Sequence, residues 1–200
     1  DSVSRVATSI ERPYIFYIGT IEPRKNLEAA IDAFVMFALS DPTRFIDTDF
    51  VIAGGKGWKF ATIFEAMRRL NALLSSASNK QNLDSRERIR YIGYVSADKK
   101  NSLLQGCSAF IFPSLHEGFG LPALEAMSFG RPVICSNAGA LPEVVGDAAI
   151  MVDPRDVKGI AAAIERVFVD RNFSRALSDK AMKRAAMFDW GTAARKTIAS

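Results

Sequence analysis

Three features are scarce in this 200-residue sequence: cysteine, histidine and long hydrophobic runs. The two cysteines, Cys107 and Cys135, are too few for a disulfide framework, and we expect both to be buried, reduced thiols. This usage favours a reducing, cytoplasmic setting. The single histidine, His116, and so few cysteines disfavour a zinc site of the Cys/His type. No apolar run approaches the roughly 18 residues that a membrane-spanning helix needs.

Several motifs of familiar enzyme chemistry are also missing. The sequence has no G-x-x-x-x-G-K-[ST] loop for nucleotide phosphates and no nucleophile elbow of a serine hydrolase. The net charge of +4 is mild, and the basic residues near the end of the sequence have the spacing of solvated helix faces. These observations disfavour nucleic-acid binding and suit a small anionic ligand, with a peripheral membrane contact of the basic helices as the alternative.

The sequence does contain a repeated alternation of short β-rich runs with helical stretches. Ile, Val and Phe almost fill the runs, which is typical of parallel strands covered on both faces. We predict strands at 14–19, 50–55, 89–95, 109–113, 131–136 and 148–152. We predict helices at 27–39, 60–75, 97–105, 122–129, 141–145, 157–168 and 174–187, with residues 75–87 as a loose surface connection. This order predicts an α/β fold, a doubly wound Rossmann-like parallel sheet of about six strands flanked by helices.

Ligands of such sheets bind at the carboxyl ends of the strands, where the stretch "SLHEGFGLPALEAM" would lie. Pro122 suits a first helical turn, and Gly120 can take the unusual backbone angles just before it. The helix would present free N–H groups to a phosphate beside the glycines. One nucleotide-sugar could then span the site, with ribose at Glu125, diphosphate at the turn and hexose at Glu117. Alternatively, both glutamates merely favour a helix N-terminus electrostatically.

A rival interpretation is the dinucleotide fingerprint, since "GFGLPA" fits G-x-G-x-x-A. Its context differs from that motif in three respects. It follows the fourth predicted strand instead of the first, and the next strand ends in "ICSN", without an acidic residue for a ribose. Four residues separate "IFP" from Gly118, where the fingerprint needs a tight turn. We therefore set the dinucleotide interpretation aside.

At these residues the sequence resembles the retaining glycosyltransferases of family 4, in the C-terminal, donor-binding half of their two-domain GT-B fold. "EGFGLPALEAM" matches the E-x7-E signature of that family, with Glu117 and Glu125 in its acidic positions. Further blocks agree in order and spacing, and the resemblance covers roughly residues 13–195. These blocks are "YIGTIEPRKNLEAAIDAF", "FVIAGGKGW", "IRYIGYVSADKKNSLLQGCSAFIFPSLHEGFG", "GRPVICSNAGALPEVVGDAAIMVDP" and "FDWGTAARKT".

The resemblance implies a role for each matching residue. Glu117 would contact the hexose, Glu125 the ribose hydroxyls, and Arg24 and Lys25 the diphosphate. Many relatives carry arginine immediately after the first-strand glycine, where this chain has Thr20, so Arg24 is the candidate to replace that guanidinium. The catalytic set is thus Glu117, Arg24 and Lys25. The donor-binding set is Gly19, Thr20, Gly54, Tyr94, Val95, His116, Gly118, Phe119, Gly120, Leu121 and Glu125, with Tyr94 and Val95 at the base pocket.

Two members of the donor-binding set have an equally simple structural explanation. His116 either touches the donor or packs within its loop. Gly54 either serves a turn or approaches the ligand. The two lysines near Gly54, Lys56 and Lys59, are expected to be solvated.

By resemblance, the full enzyme moves a hexose from a nucleoside-diphosphate sugar to an acceptor hydroxyl in polysaccharide or glycoconjugate synthesis. GDP-mannose is the first choice of donor, because sequences similar to "EPRKN" occur among mannosyltransferases of surface-polysaccharide assembly. No residue is a convincing nucleophile or general base. The resemblance therefore favours a front-side mechanism in which the leaving diphosphate helps to accept the acceptor proton. We expect neither a cofactor nor a metal.

The chain is predicted to form one domain over 1–200, with a core at 13–170 and a C-terminal helical segment at 171–200. The resemblance implies an N-terminal acceptor-binding domain outside this sequence, without which the chain would be inactive. Two alternatives remain, a non-catalytic nucleotide-sugar-binding module and a sugar-nucleotide hydrolase or epimerase of related fold. Hydrolysis of a donor without acceptor would distinguish them.

Overall fold

Six parallel strands form a single sheet in the computed structural model, which describes residue 10 and residues 12–80 and 86–188. The sheet order is β3-β2-β1-β4-β5-β6, and all five neighbouring pairs are parallel. The predicted doubly wound α/β fold is therefore confirmed. The strands are β1 (Tyr14–Ile18), β2 (Asp49–Ala53), β3 (Ile89–Tyr91), β4 (Ala109–Phe112), β5 (Val133–Ser136) and β6 (Ile150–Val152).

Helices connect these strands, and most of them match the predicted ranges. A 3-10 turn, Pro23–Lys25, precedes the first helix. The helices are α1 (Leu27–Ser40), α2 (Pro42–Phe45), α3 (Ala61–Lys80), α4 (Ala97–Gly106), α5 (Leu121–Ser128), α6 (Leu141–Val145), α7 (Val157–Val169) and α8 (Arg171–Ala185). Within the ranges that the structure describes, none of them combines the length and the apolar character needed to cross a membrane.

Three helical predictions were wrong in detail. The short helix α2 was not predicted, and residues 75–80 continue α3 instead of forming a loose connection. Residues 81–85 of that predicted connection, and the "DWGTAARKT" block, lie outside the described residues. Helix α8 begins earlier than predicted because the carboxylate of Asp170 accepts a hydrogen bond from the N–H of Phe173 at 2.9 Å, which caps the helix.

The core lies on both faces of the sheet and is rich in phenylalanine. Phe16 on β1 packs against Phe110 on β4, with ring centroids 6.1 Å apart, and Phe34 on α1 lies 5.5 Å from Phe50 on β2. Such ring pairs add about 0.5–1.5 kcal/mol to the stabilisation from burial itself. The central strands are almost completely buried, which explains their nearly continuous apolar sequence.

Both cysteines are buried free thiols, as predicted. Cys107 ends α4 and Cys135 lies within β5. Burial raises the pKa of each thiol to about 12, so both stay protonated and unreactive at neutral pH.

The strand order creates a switch point between β1 and β4. β1 pairs with β4 on one side, and the chain proceeds outward from that pair in both directions. The loops that follow these two strands are therefore adjacent at the carboxyl edge of the sheet, where doubly wound folds bind ligands. Asn26, with a left-handed φ of 56°, joins the loop after β1 to the loops after β4 and β6 by donating its side-chain amide to the carbonyls of Pro113 and Pro154, at 3.1 and 2.6 Å.

Two glycines allow the loops after β1 and β2 to touch. Gly19 donates its N–H to the carbonyl of Ala53, and Gly54 donates its N–H to the carbonyl of Gly93, at 3.1 and 2.8 Å. Gly54 has a φ of 135°, and a Cβ added there would clash with the backbone carbonyl of Gly19. The close approach of these loops therefore requires glycine at position 54.

We predict that Gly54→Ala destabilises the chain by more than about 3 kcal/mol, because strained backbone and a main-chain clash combine. The matched control is Gly55→Ala, since a Cβ added at Gly55 would have no atom within 4 Å apart from those of the residue itself and its chain neighbours. This control should stay within about 0.5 kcal/mol of the wild type. Urea unfolding of the three proteins measures both values, and equal losses for the two variants would contradict the explanation.

Candidate functional site

The central contact at the switch point is an ion pair between the loops after β1 and β4. Lys25, at the end of the 3-10 turn, places Nζ 2.5 Å from Oε2 of Glu117. Both side chains are largely buried, with exposed fractions of 10% and 14%, and the ammonium also lies 5.0 Å from the centroid of the Phe112 ring. Burial weakens competition from water, so the pair fixes where the Glu117 carboxylate lies.

Arg24 extends this pair into a cluster of four charged groups. Its Nε and Nη2 donate to Oε1 of Glu22 at 3.1 and 2.8 Å, and its Nη1 donates to the backbone carbonyl of His116 at 3.0 Å. The same Nη1 lies 3.9 Å from Oε2 of Glu117. The Arg24 side chain is 43% exposed, so an anion can reach its guanidinium. The ammonium of Lys25 is buried and is not accessible in this way.

Glu22 is a site residue that the sequence analysis missed. It balances the charge of Arg24 and holds the guanidinium at the carboxyl edge of the sheet. The sequence could have indicated Glu22, because it stands two residues before Arg24 in the loop that follows the first strand.

The loop after β5 supports Glu117 from its backbone side. The N–H of Ala140 donates to the carbonyl of Glu117 at 3.0 Å. Gly139 has a φ of 61°, and a Cβ there would clash with the same carbonyl. A Cβ at Gly120, whose φ is 91°, would clash with the side chain of Leu141. Small residues are therefore required on both sides of the contact between these loops.

Helix α5 begins as the sequence predicts. Gly120 caps it in a left-handed conformation, Pro122 lies in its first turn, and the helix directs its amino end toward the glycine-rich turn. Glu125 is on this helix but is not part of the cluster around Glu117. Its Oε1 instead pairs with Nζ of Lys100 on α4, at 2.5 Å.

Tyr94 and Val95 are separated from the charged cluster by one strand, because β2 lies between β3 and β1 in the sheet. They follow β3, the outermost strand on that side, and Tyr94 is 87% exposed. Phe119 packs edge-on against Phe188, with ring centroids 6.0 Å apart. Among the other predicted donor-binding residues, Gly54 is buried against Gly19, and the exposed ones are Thr20, His116, Gly118, Phe119 and Leu121.

Tyr17, in β1 next to the charged cluster, is unsuited to act as a base. Its hydroxyl donates to the carbonyl of Thr20 at 3.3 Å. Burial raises the pKa of Tyr17 far above its usual value, and the nearby carboxylates of Glu117 and Glu22 raise it further. The phenol therefore stays neutral and supports the loop above it.

One Asp-x-Asp tripeptide, Asp47–Asp49, has to be considered as a metal motif. It lies at the amino end of β2, on the edge of the sheet opposite the charged cluster. Asp49 pairs with Arg90 at 3.1 Å and Asp47 with Arg12 at 3.2 Å, so this motif forms structural ion pairs. Over residues 10, 12–80 and 86–188, no group of three or more His, Cys, Asp and Glu side chains is arranged to hold a metal ion.

The comparisons with known proteins bear on this arrangement. Residues 4–184 match the model of a family described as glycosyl transferases group 1. The chain is 36% identical over 186 residues to O-antigen chain mannosyltransferase B of Escherichia coli. The aligned region covers 92% of this chain and 44% of that protein. It is 35% identical over 185 residues to the serotype-specific mannosyltransferase WbdA of Escherichia coli, covering 92% of this chain and 21% of that protein.

A solved structure shares the fold. The α,α-trehalose-phosphate synthase (UDP-forming) from Burkholderia vietnamiensis superposes with a TM-score of 0.80 at 14% identity, over 94% of this chain and 42% of that one. The chain thus spans less than half the length of each of these three proteins. Because the family model extends from residue 4 to residue 184, this chain belongs to the glycosyl transferases group 1 family.

Proposed function

We propose that this chain is the donor-binding half of a retaining hexosyltransferase that uses a nucleoside-diphosphate sugar. The observation that carries the proposal is the cluster of Lys25, Glu117 and Arg24 at the switch point, beside the amino end of α5. It offers a held carboxylate for sugar hydroxyls and an open guanidinium with helix N–H groups for a diphosphate. An N-terminal acceptor-binding domain outside this sequence would complete the enzyme.

We propose mannose as the sugar and GDP as the nucleoside diphosphate. Two relatives at 36% and 35% identity are named mannosyltransferases, which supports the sugar. The structural relative is named as a UDP-forming enzyme, which supports a nucleoside diphosphate as the leaving group without deciding the base. The acceptor would belong to polysaccharide or glycoconjugate synthesis, and the two reduced thiols suit a cytoplasmic reaction.

In this proposal the donor lies along the carboxyl edge of the sheet. Glu117 binds the hexose, Arg24 and the amino end of α5 bind the diphosphate, and Glu125 binds the ribose hydroxyls. Lys25 fixes Glu117 and adds positive charge behind the diphosphate. The loop at Tyr94 and Val95 then receives the base.

The proposed reaction needs no group on this chain that takes up a proton. The bond between the anomeric carbon and the diphosphate oxygen breaks, and the electron pair stays on the diphosphate. The acceptor oxygen bonds to the anomeric carbon on the same face, and its proton passes to the departing diphosphate oxygen. The chain contributes orientation and stabilisation of the developing negative charge through Arg24 and Lys25, without a cofactor.

The first prediction concerns binding without metal. The isolated chain should bind GDP or UDP equally well with magnesium and with a chelator, because the proposed diphosphate contacts come from Arg24, Lys25 and helix N–H groups. It should show no transfer or hydrolysis of the sugar. Titration calorimetry and product analysis measure these outcomes. Failure to bind either nucleotide, or binding only with magnesium, would overturn the proposal.

The second prediction concerns Lys25→Met. Loss of the positive charge behind the diphosphate should weaken GDP binding about tenfold, or about 1.4 kcal/mol, while guanosine, which lacks phosphates, should be unaffected. The exposed Lys59 is replaced in the same way as a control, and this variant should bind GDP normally. If guanosine and GDP weaken equally, Lys25 acts through the fold, and urea unfolding will show the corresponding loss of stability.

The third prediction separates the two glutamates by the part of the donor that each holds. Glu125→Gln should weaken GDP and GDP-mannose alike, because both ligands contain ribose. Glu117→Gln should spare GDP and weaken GDP-mannose, by about 1–3 kcal/mol for a hydrogen bond to a charged group.

Calorimetry with both ligands and both variants measures this difference. If the two variants weaken GDP binding equally, the assignment of Glu117 to the hexose and of Glu125 to the ribose is wrong. Unchanged binding with lowered melting temperatures would show instead that both glutamates serve only the start of the helix.

A further inference from the structure

Lys100 pairs with Glu125, but the proposed function gives Lys100 no role. Its Nζ lies 2.5 Å from Oε1 of Glu125. Within the described parts of the chain, no other hydrogen bond or ion pair reaches this carboxylate. Oε2 therefore keeps its acceptor capacity for a ligand.

The ion pair is poorly placed to stabilise the fold. The side chains of Lys100 and Glu125 are 23% and 43% exposed, and ion pairs with this exposure contribute little to stability. It joins α4 to α5, and it fixes the direction of the Glu125 carboxylate beside the proposed donor site.

The position of Lys100 connects two proposed parts of the donor site. Helix α4 begins at Ala97, directly after the loop with Tyr94 and Val95, and Ser96 caps it. The backbone N–H of Lys100 donates to the carbonyl of Ser96 at 2.8 Å. Its side chain leaves this first turn and reaches Glu125 on α5. Lys100 thus lies between the loop proposed for the base and the carboxylate proposed for the ribose.

We propose that Lys100 is a positioning residue for recognition of ribose. It holds Oε1 of Glu125, so that Oε2 is fixed where it accepts hydrogen bonds from the ribose hydroxyls. The site would then distinguish a ribonucleoside diphosphate from its deoxy analogues, because an unpaired, oriented carboxylate oxygen is unfavourable. This inference rests on the proposed function, since it assigns the ribose to Glu125.

The chain itself tests the inference with three ligands, GDP, 2′-deoxy-GDP and 3′-deoxy-GDP. For the wild type, we expect at least one deoxy analogue to bind about tenfold or more weakly than GDP. Lys100→Met should reduce that ratio to about two or less, chiefly by weakening GDP. Lys100→Arg, which keeps a cation, should restore most of the ratio.

Lys99→Met is the matched control, because Lys99 is the adjacent lysine on α4 and no ion pair of its side chain is described. It should leave the ratio unchanged. The double variant Lys100→Met with Glu125→Gln should have the ratio of Glu125→Gln alone, because Lys100 acts through Glu125. Melting temperatures of all variants confirm that they are folded.

Each other outcome overturns the inference in a recognisable way. If Lys100→Met weakens all three ligands equally, Lys100 contacts the diphosphate directly. If it leaves all affinities unchanged, Lys100 does not position Glu125. If the wild type does not distinguish the analogues, the ribose assignment is wrong although donor binding stands. If the wild type binds no nucleoside diphosphate at all, the proposed function itself fails.

Discussion

The ion pair of Lys25 and Glu117 determines the shape of the candidate site. These residues are 92 positions apart in sequence, and they meet because β1 and β4 are neighbours in the sheet. A pair this buried adds little net stability relative to apolar packing, although removing one partner is costly. Its principal effect is therefore positional. It keeps a carboxylate at the carboxyl edge of the sheet, close to the amino end of α5, with Phe112 below the ammonium.

The cluster contains two carboxylates and two cations, so its net charge is close to zero. This balance affects which ligands the site can bind. Glu22 and Glu117 balance Arg24 and Lys25, so the free site does not hold unpaired cations that repel each other. A diphosphate would meet one exposed guanidinium and the N–H groups of a helix, with the buried lysine behind them. A hexose would meet a carboxylate whose direction is already set, which lowers the entropy lost on binding.

The two edges of the sheet use similar residues for different purposes. At the amino end of β2, Asp47 and Asp49 pair with arginines and tie that end of the strand in place. Burial raises the pKa of Asp49, although the arginines around it favour the charged form. At the carboxyl edge, glycines such as Gly54 and Gly139 let loops touch, and the carboxylate of Glu117 is held by Lys25 in the candidate site. A short acidic motif therefore does not indicate a ligand site until the structure shows whether it lies at the amino or the carboxyl ends of the strands.

The alternation of strands and helices, the parallel sheet, the start of α5 after Gly120 and the acidic pair Glu117 and Glu125 were all predicted from the linear sequence. Apolar runs, turn residues and caps are encoded by neighbouring residues, so they can be recognised in a linear pattern. The extension of α3 over residues 75–80 was missed because polar residues also suit an exposed helix face. The folded structure was needed to show that Lys25 meets Glu117 and that Lys100 meets Glu125. Those contacts follow from strand order and helix packing, which bring distant residues together and leave no local pattern in the sequence.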